Sequence, residues 1–334
     1  MCKEYSQLTI RERYMIEDLI QEGNTQNYIA EKLDRDKSTI SRELARNRDK
    51  NGVYRAESAE GLAQNRCQRK RFKQFTESVI SRIKDKLADH WPPEVISVHL
   101  KTEKNIDISY ELIYQYLAFD REQGGRMYLL LPHRGKKYKK RNLKTQRRVW
   151  KTAKKRKSID DRPSVVAEKT EIGHWEGDTV ESKGHQGGIA TFVDIKSKFL
   201  IIRKVKDKSS ICMKDAVVFA FKSFPKIAKT LTLDNGTEFA LHDKMEKELN
   251  TQVYFAHPYS PWERGLNENT NGLIRKFYPK GTDFSEYTDE DILQVQNLIN
   301  DRPRKLLNYQ TPKEVLYKDL LSKHSYSSIV KAVS

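Results

Sequence analysis

Asp178, Asp234 and Glu268 are the residues of this chain whose types and settings best suit chemistry. Asp178 lies in the strand-like run Trp175-Glu176-Gly177-Asp178-Thr179-Val180. Asp234 ends the alternating run Leu231-Thr232-Leu233, just before Asn235-Gly236. Glu268 opens the helix-like segment Asn267-Glu268-Asn269-Thr270-Asn271-Gly272-Leu273-Ile274-Arg275. Carboxylates converging from two strands and a helix make a cage for hard divalent cations. Mg²⁺ (or Mn²⁺) prefers six oxygens, taking one or two carboxylates and filling the rest with water and substrate oxygens. Three carboxylates can therefore hold two ions, with Asp178 bridging, Asp234 on one ion and Glu268 on the other. Such a pair stabilises the attacking and leaving oxygens of an in-line phosphoryl displacement. The chain has a formal net charge of +17, so the expected substrate is a nucleic-acid phosphodiester.

Spacing alone leaves rivals. Glu176, Asp194, Glu238, Glu263 and Asp301 compete, and Glu263 competes most directly with Glu268. In a strand alternate side chains share a face, which puts Glu176 on the face of Asp178. On a helix from about 262, Arg264, Glu268, Asn271 and Arg275 share one face. Arg264 and Arg275 would there flank the metal ligand and suit phosphate oxygens. His174, His242 and His257 are isolated and read as structural. There is no glycine loop to cradle phosphate and no Ser-His-Asp arrangement.

The elements that must position these acids follow in order. Strands are expected at 173–181, 188–195, 199–206, 229–234 and 252–256, with helices at 210–224, 237–249 and from about 262. Three meandering strands followed by alternating helices and strands is the order of a ribonuclease-H-like α/β core, here with a mixed five-stranded sheet. Asp178 would sit centrally, with Asp234 at the C-terminal end of a neighbouring strand.

Ahead of the core the pattern is helical. Thr9-x-x-Glu12 is a capping box, Thr25 can cap a second helix, and Ser38 or Thr39 a third. The third helix has the apolar stripe Ile40 and Leu44. Lys37, Ser38, Thr39, Ser41, Arg42 and Arg46 lie towards its N-terminal end and opposite face. Short helices joined by a tight turn, with small hydroxyls and arginines on the second, describe a helix-turn-helix. Small hydroxyls let the helix approach the major-groove floor, and arginine reaches guanine edges or phosphates.

The expected organisation is a helix-turn-helix domain at 1–50, a basic helical arm at 51–75 and a second helical, helix-turn-helix-like domain at 76–132. A basic linker at 133–165 and the catalytic core at 166–325 follow. Residues 134–157 hold 14 Lys or Arg and no acid. Such a run repels itself and lies along phosphate, giving salt-dependent affinity without sequence preference. Three scattered cysteines form neither a disulfide framework nor a zinc spacing. No apolar run approaches a membrane span, and the N-terminus has no signal core. A cytoplasmic protein with no membrane partner is expected.

The motifs strongly resemble those of the IS-thirty family of bacterial DDE insertion-sequence transposases. Ser38-Thr39-Ile40-Ser41-Arg42-Glu43-Leu44-x-Arg46-Asn47 is similar to its helix-turn-helix signature. Trp175-Glu176-Gly177-Asp178 resembles its first-aspartate motif, and Leu231-Thr232-Leu233-Asp234-Asn235-Gly236-x-Glu238-Phe239 its second. The stretch from Pro258 through Trp262, Arg264-Gly265 and Asn267-Glu268-Asn269 to Arg275 resembles its glutamate motif and selects Glu268 over Glu263. Asn300-Asp301-Arg302-Pro303-Arg304 and Thr311-Pro312 resemble the tail after the catalytic helix in integrase-like cores. The resemblance implies a transposase that binds the terminal inverted repeats of its element on double-stranded DNA. It implies metal-dependent strand cleavage and transfer to target DNA within a homo-oligomeric synaptic complex. An inactive, sequence-specific DNA-binding repressor is the alternative, and a nuclease that cuts without joining is a third reading.

Overall fold

The computed structural model describes residues 6–49, 51–131, 156–185, 187–222, 227–258 and 260–323. They fall into two compact units, Met1–Ile83 and Lys84–Ser334. Most of the basic run at 134–157 lies outside the described residues.

The first unit carries α1 (Ile10–Gln21), α2 (Gln26–Lys32), α3 (Lys37–Asn47) and α4 (Ala56–Arg71). Thr9 and Glu12 form the expected capping box on α1, and Thr25 caps α2. The cap of α3 differs from expectation. Asp36, not Ser38 or Thr39, is the N-cap, and its carboxylate accepts from the Ser38 N–H at 2.7 Å. A carboxylate at that position also complements the positive helix end, so α3 starts at Lys37. Ile16, Ile29, Ile40 and Leu44 fill the small core. A buried ion pair crosses it: Arg13 Nε donates to Glu43 Oε1 at 2.8 Å, and the Tyr54 hydroxyl donates to the same oxygen at 3.1 Å. Both α3 faces are thereby assigned. Ile40, Glu43, Leu44 and Asn47 point inwards. Lys37, Ser41, Arg42 and Arg46 are exposed, with Ser38 and Thr39 half-buried.

Helix α5 (Glu77–Ala88) spans the division between the units. The second unit continues with α6 (Pro93–Lys104), α7 (Tyr110–Glu122) and α8 (Ser164–Glu168). Pro93 opens α6 and Ser109 caps α7, as expected.

The core sheet contains β1 (Lys157–Ser158), β2 (His174–Glu181), β3 (Gly188–Asp194), β4 (Leu200–Val205), β5 (Thr230–Leu233) and β6 (Gln252–Phe255). Its strand order is β1-β6-β5-β2-β3-β4. Strands β2, β3 and β4 form an antiparallel meander, whereas β5, β6 and β1 run parallel. The sheet therefore has six strands, not five. The addition, β1, is a two-residue edge pairing with Tyr254 and Phe255. It begins at the last residue of the basic run, and two residues carry no period-two signal.

Helices cover both sheet faces: α9 (Ser210–Lys222), α10 (His242–Leu249), α11 (Gly265–Phe277), α12 (Asp289–Asn300) and α13 (Pro312–Lys323). The expected helix at 237–249 is broken, with a 3-10 turn at Thr237–Phe239 before α10. A second 3-10 turn, Pro261–Arg264, precedes α11. On one face Trp175, Phe192, Leu231 and Leu233 pack against Met213, Val217 and Phe221 of α9, Met245 of α10 and Leu316 of α13. On the other, Val180, Ile189, Leu200 and Ile202 pack against Leu273 and Ile274 of α11 and Ile292, Val295 and Ile299 of α12. Full cover on both faces explains why β3 is buried along its whole length.

Candidate active site

Register places the two aspartates together. His174, Trp175 and Glu176 of β2 stand opposite Thr230, Leu231 and Thr232 of β5 in a parallel pairing. Carrying that register two residues further sets Asp178 beside Asp234, on strands about 4.8 Å apart. Trp175 of β2 and Leu231 and Leu233 of β5 point into the α9 core. Alternation therefore turns Glu176, Asp178, Thr232 and Asp234 to the opposite face, under α11. Gly177 belongs to this local design. A Cβ there would lie 2.6 Å from Leu233 Cδ2 and 3.2 Å from Phe192 Cδ1, so a larger residue would make those two side chains repack.

Arg264 joins the pair. Its Nη2 lies 3.3 Å from Asp234 Oδ2, its Nη1 lies 3.6 Å from Asp178 Oδ1, and Nη1 also donates to the Gly177 carbonyl at 3.0 Å. Asn271 Nδ2 donates to Asp178 Oδ2 at 2.7 Å. The amide orientation follows from Thr191, whose hydroxyl donates to Asn271 Oδ1 at 3.4 Å. Asp234 Oδ1 accepts from the Gly236 N–H at 2.9 Å, which closes a tight turn. Burial pushes the Asp178 carboxyl above the usual aspartate range; Arg264 pulls it back, while the neighbouring Asp234 pushes it the same way as burial. Two adjacent carboxylates on a covered sheet face need a cation, and one guanidinium stands in for it.

Glu268 is exposed on the first turn of α11. Among the described residues no three His, Cys, Asp or Glu side chains lie close enough to share a metal ion. The structure thus brings Asp178, Asp234 and Arg264 together and leaves Glu268 outside that cluster. The fit to a divalent ion rests on the pair: hard carboxylate oxygens already sharing one positive charge.

Three of the five rival acids are engaged elsewhere. Glu263 accepts from the His257 N–H and lies 2.8 Å from His257 Nδ1. Asp194 accepts from the Gly173 N–H at 2.8 Å and from the Ser197 N–H and hydroxyl, both at 2.7 Å. Asp301 pairs with Lys313 at 3.3 Å. Glu176 is buried on the Asp178 face, and its Oε2 has no hydrogen-bond partner among the described residues. Burial raises its carboxyl above the usual range, against the pull of Arg162.

Arg275 does not point freely to solvent. It donates to the Pro279 and Glu181 carbonyls, both at 3.3 Å. Two arginines that the sequence reading folded into the linker also reach this region. Arg156 Nη2 donates to the Gly236 carbonyl at 3.0 Å and its guanidinium lies 4.5 Å from the Phe255 ring centroid. Arg162 Nη1 donates to Thr232 Oγ1 at 3.3 Å. Arg156 stands in a run of like charges and Arg162 in a short mixed-charge segment, and no sequence signal marked either.

A helix-turn-helix domain model matches residues 4–47, and an integrase core domain model matches residues 168–261. The chain is 38% identical over 320 residues to the transposase for insertion sequence element IS4351 of Bacteroides fragilis, covering 95% of this chain and 97% of that one. It is 35% identical over 320 residues to transposase InsI for insertion sequence element IS30C of Escherichia coli (strain K12), covering 92% and 83%. It is 33% identical over 323 residues to the transposase for insertion sequence element IS1086 of Cupriavidus metallidurans, covering 94% and 95%. With near full-length likeness to these relatives, and both matched domains where the fold has its helical unit and its sheet, the chain belongs to the IS-thirty family of insertion-sequence DNA transposases.

Proposed function

We propose that Asp178, Asp234 and Glu268 form the metal-binding triad with which this transposase cleaves element ends and joins them to target DNA. One observation carries the reading: Asp178 on β2 and Asp234, just past the end of the parallel strand β5, share a single positive group, Arg264. Glu268 lies one turn from Arg264 on the following helix and comes to the pair as the third ligand. Two divalent ions held there would activate the attacking hydroxyl and neutralise the leaving oxygen.

The remaining work falls to the chain. Asn271 fixes the Asp178 carboxylate, and Thr191 fixes Asn271. Arg264 ties the start of α11 to β2 and balances the paired charges. In the reaction, the oxygen of water, and later of an exposed DNA 3′-hydroxyl, attacks phosphorus while the bond to the leaving 3′-oxygen breaks. The nucleophile loses its proton to solvent and the leaving oxygen gains one. No covalent enzyme intermediate is required.

Helix α3 reads the terminal inverted repeats through its exposed Lys37, Ser41, Arg42 and Arg46, with the half-buried Ser38 and Thr39 at the groove floor. The helices at 76–132 form a second DNA-binding domain, and a homo-oligomer pairs the two element ends. The test is a cleavage and joining assay with Mg²⁺ on duplexes carrying the inverted repeats that flank the gene. Asp234→Asn and Glu268→Gln should each abolish both products while binding of the ends persists. Full activity of either variant refutes the triad. Cleavage without joining in the wild type would identify a nuclease, and specific binding without any product a repressor.

A further inference from the structure

A second concentration of positive charge lies at the far end of α11. Lys276 on its last turn and Arg302 and Arg304 beyond α12 act on one another electrostatically. Beside them lies His90 after α5, an imidazole that burial, followed by Lys276 and Arg302, pushes below its usual range and so keeps uncharged near neutral pH. All four are half-buried. The His90 ring packs edge-on against Phe277, with centroids 4.8 Å apart. Arg302 Nε and Arg304 Nε are buried with no hydrogen-bond partner among the described residues. Among the described residues the Arg304 side chain donates to one acceptor, the Ile299 carbonyl, at 3.2 Å from Nη2.

Anionic compensation is slight. Asp89 faces His90 but lies 3.8 Å from Lys86, and Asp301 is held by Lys313. Among the described residues no carboxylate pairs with Lys276, Arg302 or Arg304. Helix C-termini at Phe277 and Asn300 offer partial negative charge only. Burial, followed by the two arginines, pushes Lys276 down to about 8. Burial, followed by Arg302, pushes Arg304 down to about 10.

The chain also accepts backbone strain to bring the histidine here. His90 has φ +59° and ends α5 in a Schellman-type cap, with its N–H bonded to the Leu87 carbonyl and the Trp91 N–H to the Lys86 carbonyl. Glycine is the usual residue at such a position.

We infer that His90, Lys276, Arg302 and Arg304 form a phosphodiester-binding site that grips the DNA backbone away from the scissile bond. The assignment rests on the proposed function only in taking α11 to lie along the substrate. Lys276 follows Glu268 by eight residues on one helix, a rise of about 12 Å. Phosphates advance about 3.4 Å per nucleotide along one strand of a duplex. The gripped phosphate would lie about three to four nucleotides from the one being cut.

The test is a binding measurement without metal, so it does not depend on the catalytic triad. Duplexes of the element end carry single neutral methylphosphonates, one position at a time, and are titrated with the full chain and with Lys276→Met. Lys276→Met should weaken binding of the unmodified duplex about tenfold, as loss of one charge-assisted contact. It should lower the salt slope by about 0.9, one phosphate's worth. At one backbone position the methylphosphonate should weaken the wild type and leave the variant unaffected. Lys276→Met should also melt at or above the wild-type temperature, because it removes a charge repelled by its neighbours. Equal losses for both proteins at every position overturn the site. So does a variant that melts lower and binds DNA unchanged. Protection from melting by inorganic phosphate in the wild type alone, with an unchanged DNA salt slope, would assign the cluster to free anions and overturn its role on DNA.

Discussion

Arg264 reaches Asp234 at 3.3 Å and Asp178 at 3.6 Å with two nitrogens of one guanidinium. The side chain spans two strands from the start of a helix and holds the place of a cation between carboxylates that would otherwise repel. Removing it from the metal-free protein should therefore cost stability. Arg264→Ala is expected to lose about 1 kcal/mol, because both carboxylates are only half-buried and solvent screens part of the loss. Added Mg²⁺ should restore more of the melting temperature in Arg264→Ala than it adds to the wild type. Equal Mg²⁺ shifts in the two proteins would show that arginine and metal do not compete for the same charge.

The edge strand β4 depends on a different clip. The fully buried Asn300 accepts from the Leu200 N–H and donates to the Leu200 carbonyl, both at 2.8 Å, and Gln296 accepts from the Ile202 N–H at 2.8 Å. These amides satisfy backbone groups that an open sheet edge would present for pairing with another chain. Asn300→Ala orphans two of them, for an expected loss of about 2–4 kcal/mol. Urea unfolding measures the loss, and light scattering should show association of the variant. A cost under about 0.5 kcal/mol would mean that the clip is dispensable.

Exposed residues of α3 should divide by what they touch on DNA. Arg42 and Arg46 are free of internal ion pairs among the described residues and stand on the exposed face. If Arg42 makes a bidentate contact to guanine, Arg42→Ala should lose about 1–3 kcal/mol of discrimination at one base pair. Competition between the element end and single-base variants of it would measure this. Uniform weakening across all sequences would place Arg42 on phosphate instead.

Acid should loosen the helix-turn-helix through Glu12. Burial works to raise its carboxyl, but the hydrogen bonds from Arg35 and Thr9 prevail and hold it at about 2, below the reference 4.5. The folded value is the lower one, so this carboxylate's contribution is complete above about pH 4.5 and disappears as the pH falls towards 2. Hydrogen exchange of the amides of residues 10–47 should accelerate across that window, and Glu12→Gln should remove this part of the pH dependence. An identical pH response in wild type and Glu12→Gln would place the acid sensitivity in other groups.

Periodicity and caps made much of this molecule legible from its residues alone. Strand positions near 173–181, 188–195, 199–206, 229–234 and 252–256 follow from short apolar runs bounded by turn residues. Thr9, Thr25 and Ser109 mark helix starts because their hydroxyls satisfy otherwise unpaired N–H groups. The motifs around Asp178, Asp234 and Glu268 carry the family resemblance in the sequence itself. Tertiary structure decided what one-dimensional order leaves open. Strand register, which depends on which edges meet, put Asp178 beside Asp234. The two-residue strand β1 exists only because β6 offers it an edge. Arg156, Arg162, Arg264 and Arg275 look alike as charges in sequence, yet each found carbonyls or carboxylates inside the fold. His90, Lys276 and the Arg302-Pro303-Arg304 pair lie far apart along the chain, and only the packing around α11 and α12 gathers them into one place.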